Sequence, residues 1–270
     1  MSNALPVGTH IGRVHLRVPD LAHSVPFYET HLGFFAHPID SRSVSLTSRE
    51  DGPEILRLTE HREARPRPSR TTGLFHVAIR LPSREALGQT LLHMLEKRTN
   101  VGGFADHGVS EAIYLADPDG NGLEFYADRP PETWPRTDHQ IAMVSDPLDV
   151  ESLLALAAPN RAAKYRIHPE TRMGHVHLQV SNLARTEEFY AGELGFDVTQ
   201  RSYPGALFFA AGGYHHHLGT NTWAGRGAHR PPDNAIGLIS FSIVIPTAAE
   251  NSTTKVVQDP DGHQIELMYV

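Results

Sequence analysis

Two stretches of this chain are one unit written twice. Ile11–Phe34 reads IGRVHLRVPDLAHSVPFYETHLGF and Met173–Phe196 reads MGHVHLQVSNLARTEEFYAGELGF, aligned without a gap. A repeat of this kind restricts the fold to arrays of one supersecondary unit. Each copy opens with an alternating strand, Val14, Leu16 and Val18 in one and Val176, Leu178 and Val180 in the other. Asp20 or Asn182 then offers the short polar side chain that caps a helix. Gly33 and Gly195 end the two helices by supplying a left-handed cap residue.

A weaker repeat lies inside each half. LFHVAIRLP (Leu74–Pro82) restarts the strand pattern, and a helix is predicted from Arg84 to about Lys97. AIYLADPDGNGLEFYAD (Ala112–Asp128) reads as a strand, a tight turn and a strand. LISFSIVIP (Leu238–Pro246) and VVQDPDGHQIELMYV (Val256–Val270) repeat both pieces, but the segment between Pro246 and Val256 is too short for a helix and a further strand. The pattern predicts an α+β fold of four βαβββ-type modules in two pairs. Curled mixed sheets would carry outer helices, and the fourth module is truncated. The first pair is placed at 1–128 and the second at 173–270, with a linker at 129–172 whose centre, Asp149–Ala158, is a short helix. The sheet face left bare in module four is expected to bury itself against that helix or a second subunit, which makes a homo-oligomer the expected state.

Composition removes several classes of function. There is no cysteine, so disulfides, thiolate ligands and thiol nucleophiles are excluded. The net charge of −7 is spread along the chain with no basic surface, so no nucleic-acid partner is expected. No apolar run has the length of a signal peptide or a membrane span, so a cytoplasmic protein without a membrane partner is expected.

Register converts the repeats into candidate ligands. Aligning the opening strands on Val14, Val77, Val176 and Phe241 places Arg13, His76, His175 and Ser240 together on the opposite, concave face. The DPDG turns match Glu124 with Glu266. Matching Gly52 with Gly212 sets Arg57 opposite His217. In GGYHHHLG, alternation sends His215 and His217 to one face and His216 to the other; a slip of one residue exchanges them. The N-terminal half then offers Arg13, Arg57, His76 and Glu124. Two arginines repel a cation, so His76 and Glu124 read as a relic. The C-terminal half offers His175, His217 and Glu266 as metal ligands, a set with open positions that suits non-haem Fe(II) and that zinc, manganese or nickel could also occupy. His15 and His177 share a repeated place and read as packing residues, as do Tyr28 and Tyr190. Arg62–Arg70 (REARPRPSR) reads as a solvated loop, and Asn221 and Trp223 as a pocket mouth or an ordered loop.

The motifs HVHLQVSNL…FY…LGF, GGYHHHLGTNTW and DPDGHQIEL together resemble the vicinal oxygen chelate superfamily (glyoxalase, bleomycin resistance and extradiol dioxygenase proteins), above all its two-domain catechol 2,3-dioxygenase-like branch. The resemblance implies a metal-dependent extradiol dioxygenase that opens a catechol-type aromatic diol with O2. Fe(II) is the implied cofactor, with Mn, Zn or Ni able to take its place. The family's first ligand maps onto His175 and its carboxylate onto Glu266. Its second histidine often opens the fourth module, where this chain has Ser240; that departure moves the second imidazole to the histidine run. His215 or His216 would be the catalytic histidine, while the family's tyrosine falls in the missing part of module four. Two other readings stand beside this one: a glyoxalase-like isomerase or thiol transferase, and a non-enzymatic binder with a relic site.

Overall fold

The repeats are realised as strands and helices at the predicted places. The computed structural model describes residues 4–157, 159, 164–248 and 252–270. Module one comprises β1 (His10–Val18), α1 (Leu21–Thr30), β2 (Phe35–Asp40), β3 (Ser43–Thr47) and β4 (Glu54–Glu60). Module two comprises β5 (Gly73–Leu81), α2 (Arg84–Glu96), β6 (Val101–Asp106), β7 (Ser110–Ala116) and β8 (Gly122–Asp128). The linker holds a small hairpin, β9 (Arg136–Thr137) and β10 (Gln140–Ile141), and the helix α3 (Val150–Ala157). Module three comprises β11 (Arg172–Gln179), α4 (Leu183–Glu187) running into a π-helical stretch (Glu188–Glu193), β12 (Asp197–Gln200), β13 (Ala206–Ala210) and β14 (Leu218–Asn221). Module four has β15 (Gly237–Ile245), β16 (Thr253–Gln258) and β17 (Gln264–Tyr269), with no helix among its described residues.

Local chemistry explains these boundaries. Asp20 accepts from the amide of Ala22, and Asn182 accepts from those of Ala184 and Arg185, so both helices start on side-chain caps. Gly33 and Gly195 follow the helices at φ +80° and +88°, where a side chain would be strained. Tyr28 donates to Asp117 at 2.7 Å, and Tyr190 donates to Asp259 at 3.0 Å. Each repeated helix is thereby tied to the Asp-Pro-Asp-Gly turn of the module that follows it in sequence. Asp117 also accepts from the amides of Asp119 and Asn121, which closes the turn.

The strands pair in an order the repeats do not reveal. Modules one and two do not share a sheet, nor do modules three and four. One seven-stranded sheet runs β16-β17-β15-β1-β4-β3-β2 and joins the first module to the fourth. One eight-stranded sheet runs β12-β13-β14-β11-β5-β8-β7-β6 and joins the second to the third. The seams are antiparallel, Val14 opposite Phe241 and Val77 opposite Val176. The expected pairing of neighbours within 1–128 and within 173–270 is corrected accordingly. All four opening strands present similar backbone edges, so alternation sets which face each residue takes but not which edge it meets.

Val14, Val77, Val176 and Phe241 are wholly buried between the helices and the sheets. Each such side chain contributes roughly 1.5–3 kcal/mol of transfer free energy. The linker helix does not cover module four. It packs on α2, where a Cβ at Gly88 would lie 2.5 Å from the carbonyl oxygen of Leu153. The truncated module instead faces Leu5, Phe189 and Phe196 across a cavity of about 390 Å³. No helix among the described residues is long and apolar enough to cross a membrane.

Candidate metal centre

In the eight-stranded sheet the register brings four positions together. Val77 pairs with Leu123 and Val176 pairs with Leu218, so Glu124 and Gly219 follow those two leucines onto the concave face. His76 and His175 precede the paired valines on the same face. The four places therefore hold His76, Glu124, His175 and Gly219. One ligand atom from each of His76, Glu124 and His175 lies within 4.8 Å of the others. All three side chains are buried.

The geometry within this triad brings three potential ligand atoms to one place. Nε2 of His76 is 2.9 Å from Oε2 of Glu124, and Nε2 of His175 is 3.2 Å from the same oxygen. Nε2 of His76 nevertheless has no hydrogen-bond partner, because it does not point along a donor direction at that oxygen. Nδ1 of His175 is a second buried nitrogen without a partner. Burial alone would push the Glu124 carboxyl up, but His175 and His76 hold it well below the usual carboxylate range. Burial lowers His175 to about 4, although Glu124 pulls the other way. Glu124 is thus an anion facing at least one neutral imidazole. Two imidazole nitrogens and one carboxylate on one side of an ion, with other positions open, suit Fe(II), Mn(II) or Zn(II). The residues fit such an ion.

Gly219 keeps the fourth place empty of side chain. A Cβ there would lie 2.9 Å from the His177 ring. Nε2 of His177 meets the side-chain amide of Asn221 at 3.0 Å. Above the triad lies a cavity of about 460 Å³, walled by Phe75, Tyr203, Phe208 and Trp223. No arginine or lysine among the described residues lines it.

Only His175 of the expected ligands is in this place. Glu266 lies on β17 in the other sheet, accepting from Arg13 at 2.6 Å and from Ser240 at 2.7 Å. It is removed from His175 because module four pairs with module one. His217 precedes β14 and accepts at Nδ1 from the amide of Ala211 at 3.2 Å. The match of Arg57 to His217 was two residues out: Val14 pairs with Leu56 and Val176 with Leu218, so Arg57 corresponds to Gly219. Residues between Gly212 and His217 turn rather than extend, so counting alternation through them fails. His76 and Glu124, read from sequence as a relic, supply the other two members of the triad. The arginines said to repel a cation from them, Arg13 and Arg57, belong to the seven-stranded sheet.

The histidine run borders the centre from one side. His216 lines the cavity, its ring 4.0 Å from that of His175. Burial drives the His216 imidazole well below its ordinary range, and the neighbouring histidines add to this. Nδ1 of His216 is 2.7 Å from Nδ1 of His215, and Nε2 of His215 is 2.9 Å from Oδ1 of Asp128. A carboxylate only accepts, so His215 donates from Nε2. The two Nδ1 atoms share one proton, and the His215 tautomer that carries its single proton on Nε2 accepts it from His216, leaving Nε2 of His216 its lone pair. Tyr214 donates to the same Asp128, and Arg80 meets it at 2.8 Å.

Tyr114 escaped sequence reading. It pairs with Glu124 across the β7–β8 hairpin and lines the cavity. Nδ1 of His107 donates to the carbonyl of Val144 at 2.6 Å, and its Nε2 meets the Tyr114 hydroxyl at 2.6 Å. The signal was present: a hairpin closed at Asp117–Gly120 fixes Tyr114 opposite Glu124.

Comparison with known proteins accords with this geometry. The family model described as Glyoxalase/Bleomycin resistance protein/Dioxygenase superfamily matches residues 10–125 and 172–244. A protein of Bacillus subtilis (strain 168) called catechol-2,3-dioxygenase is 44% identical over 247 residues, covering 90% of this chain and 85% of its own. The solved structure of a putative dioxygenase from Bacillus subtilis superposes with a TM-score of 0.62 at 10% identity, over 96% of this chain and 84% of that one. Glyoxalase I from Zea mays superposes with a TM-score of 0.56 at 16% identity, over 97% of this chain and 92% of that one. At these identities the two structures speak to the fold alone.

Proposed function

The chain belongs to the Glyoxalase/Bleomycin resistance protein/Dioxygenase superfamily, and from that premise we propose that it is an extradiol dioxygenase acting on a catechol-type diol. The observation that carries the reading is the convergence of His76, Glu124 and His175 at the floor of an aromatic-walled cavity. These three residues would hold a divalent metal, Fe(II) in this reading. When bound, that ion supplies a site for both adjacent diol oxygens and for O2, and acidifies the hydroxyl it meets.

The chain's own groups divide the remaining work. Phe75, Phe208 and Trp223 present faces and edges against which a planar ring can pack. His216 accepts the diol proton at Nε2, its ring held in that tautomer by His215 and Asp128. His215 is therefore a positioning residue, one step removed from the substrate. Tyr114 stands on the opposite side, and its hydroxyl is oriented by His107.

The test is oxygen uptake with catechol by protein purified without oxygen or chelator, run alongside metal analysis. Uptake that requires bound Fe(II) and yields an open-ring product supports the reading. A metal-loaded protein that consumes no oxygen with any catechol would overturn it.

A further inference from the structure

A second cavity, of about 360 Å³, opens where the end of β1 and the starts of β5 and β15 meet the loops at 228–236 and 259–263. It shares no lining residue with the metal cavity. Three arginines line it, Arg17, Arg67 and Arg230. Their charge is poorly matched by carboxylates. Arg67 donates to the carbonyls of Thr72 and Leu74 and to the side chain of Gln179, all neutral acceptors. Arg17 donates to the carbonyl of Ala235, and its Nε is buried without a partner. Arg230 has only a 3.8 Å approach to Asp233, an exposed residue. Asp261, the other acid in the lining, accepts from the amide of Ser181.

His263 adds an independent sign. It is 8% exposed, and Nδ1 meets Oδ2 of Asp259 at 2.8 Å. Its Nε2 is buried with no partner among the described residues, just behind the surface that this residue gives to the same cavity. The matching residue of the other Asp-Pro-Asp-Gly turn, Asn121, makes the equivalent bond to Asp117 at 2.8 Å with its side-chain amide. The turn therefore needs only one polar nitrogen at this place, and Nε2 of His263 is surplus to it.

We propose that this cavity binds the oxyanion group of a small metabolite, a carboxylate or a phosphate. Arg17 and Arg230 are the charged donors, and His263 is a polar part of the wall between them. Arg67 acts as a fixed wall, because three of its five N–H donors are held by neutral acceptors. A guanidinium fork suits either oxyanion, and each charge-assisted bond is stronger than a neutral one. The loop Arg62–Arg70, read from sequence as merely solvated, is held here by the bonds of Arg65 to Asn234 and Ile236.

The experiment is titration calorimetry of the full chain with inorganic phosphate and, separately, with the dicarboxylate succinate. Arg230→Ala and Arg17→Gln are compared with the parent, and circular dichroism checks each fold. Arg230 is largely exposed, so its removal leaves the core untouched. Saturable binding of either anion, weakened about tenfold or more in both variants, supports the proposal; about 1.4 kcal/mol corresponds to that factor. The anion that binds more tightly identifies the oxyanion class. No heat from either anion at ten millimolar (roughly −2.7 kcal/mol on the usual scale) would overturn the proposal, as would binding equal in parent and Arg230→Ala, which marks an adventitious ion only. Neither result bears on the metal centre.

Discussion

Arg13 donates to Glu266 at 2.6 Å in the seven-stranded sheet, at the place where the eight-stranded sheet gathers His76, Glu124 and His175. The four corresponding positions there are Arg13, Arg57, Ser240 and Glu266, against His76, Glu124, His175 and Gly219. Glu54 extends the network, accepting both donors of a fork from Arg57 at 2.8 Å each. One architecture thus has two concave centres. One is filled by ion pairs, and the other gathers Nε2 of His76 and Nε2 of His175 around one carboxylate oxygen of Glu124.

The filled centre is structural. Arg13→Ala should destabilise the protein by about 1–3 kcal/mol, the range for hydrogen bonds to charged groups. Metal content should not change. Chemical denaturation and metal analysis on the same preparation check both halves of this statement.

The proton acceptor can be tested apart from metal retention. His216→Ala should lower kcat about 10²–10⁴-fold, the usual contribution of a positioned base. Asp128→Asn should lower it less and alter the pH profile, because His215 loses the carboxylate that fixes its tautomer. Metal content should survive both changes. A kcat unmoved by His216→Ala would remove this residue from the mechanism.

Acid should unfold the metal-free protein early. Burial lowers His15 to about 4 and His217 to about 3, against an ordinary 6.5. Their neutral forms are favoured in the fold, so the unfolded chain binds more protons between pH 6.5 and those values. Stability should therefore fall as pH drops below 6.5 and go on falling to about pH 3. Urea midpoints at pH 7, 6 and 5 measure this, and His15→Gln should flatten the slope. Equal midpoints across that range would contradict the assignment.

Gly219 should tolerate no side chain. Gly219→Ala forces a methyl against the His177 ring and should cost about 1–3 kcal/mol, as overpacking does. Because Asn221 holds that ring from the other side, the cavity should narrow as well, raising KM more than it lowers kcat.

Much of the fold was legible because its signals are local. The caps Asp20 and Asn182, the stops at Gly33 and Gly195 and the buried row from Val14 to Phe241 all act within a few residues, and each is where the sequence put it. The truncation of module four was also readable, since the lost length leaves no room for a helix. The choice of partner strand was not. β1 meets β15 and β5 meets β11 through backbone edges that carry no side-chain code. That one ambiguity moved Glu266 away from His175 and brought His76 and Glu124 to it. The second miss, His217, came from extending strand alternation into a bend. His175 survived both because its face depended only on Val176 beside it. His76 and Glu124 were on the correct face from the start, with only their partners misjudged.

The decisive measurement is the metal content of Glu124→Gln and Glu266→Gln, each purified anaerobically beside the parent. The account predicts that the parent and Glu266→Gln retain equimolar metal and that Glu124→Gln loses it, with all three folded. Metal retained in Glu124→Gln but lost from Glu266→Gln would contradict the site and return it to the other sheet.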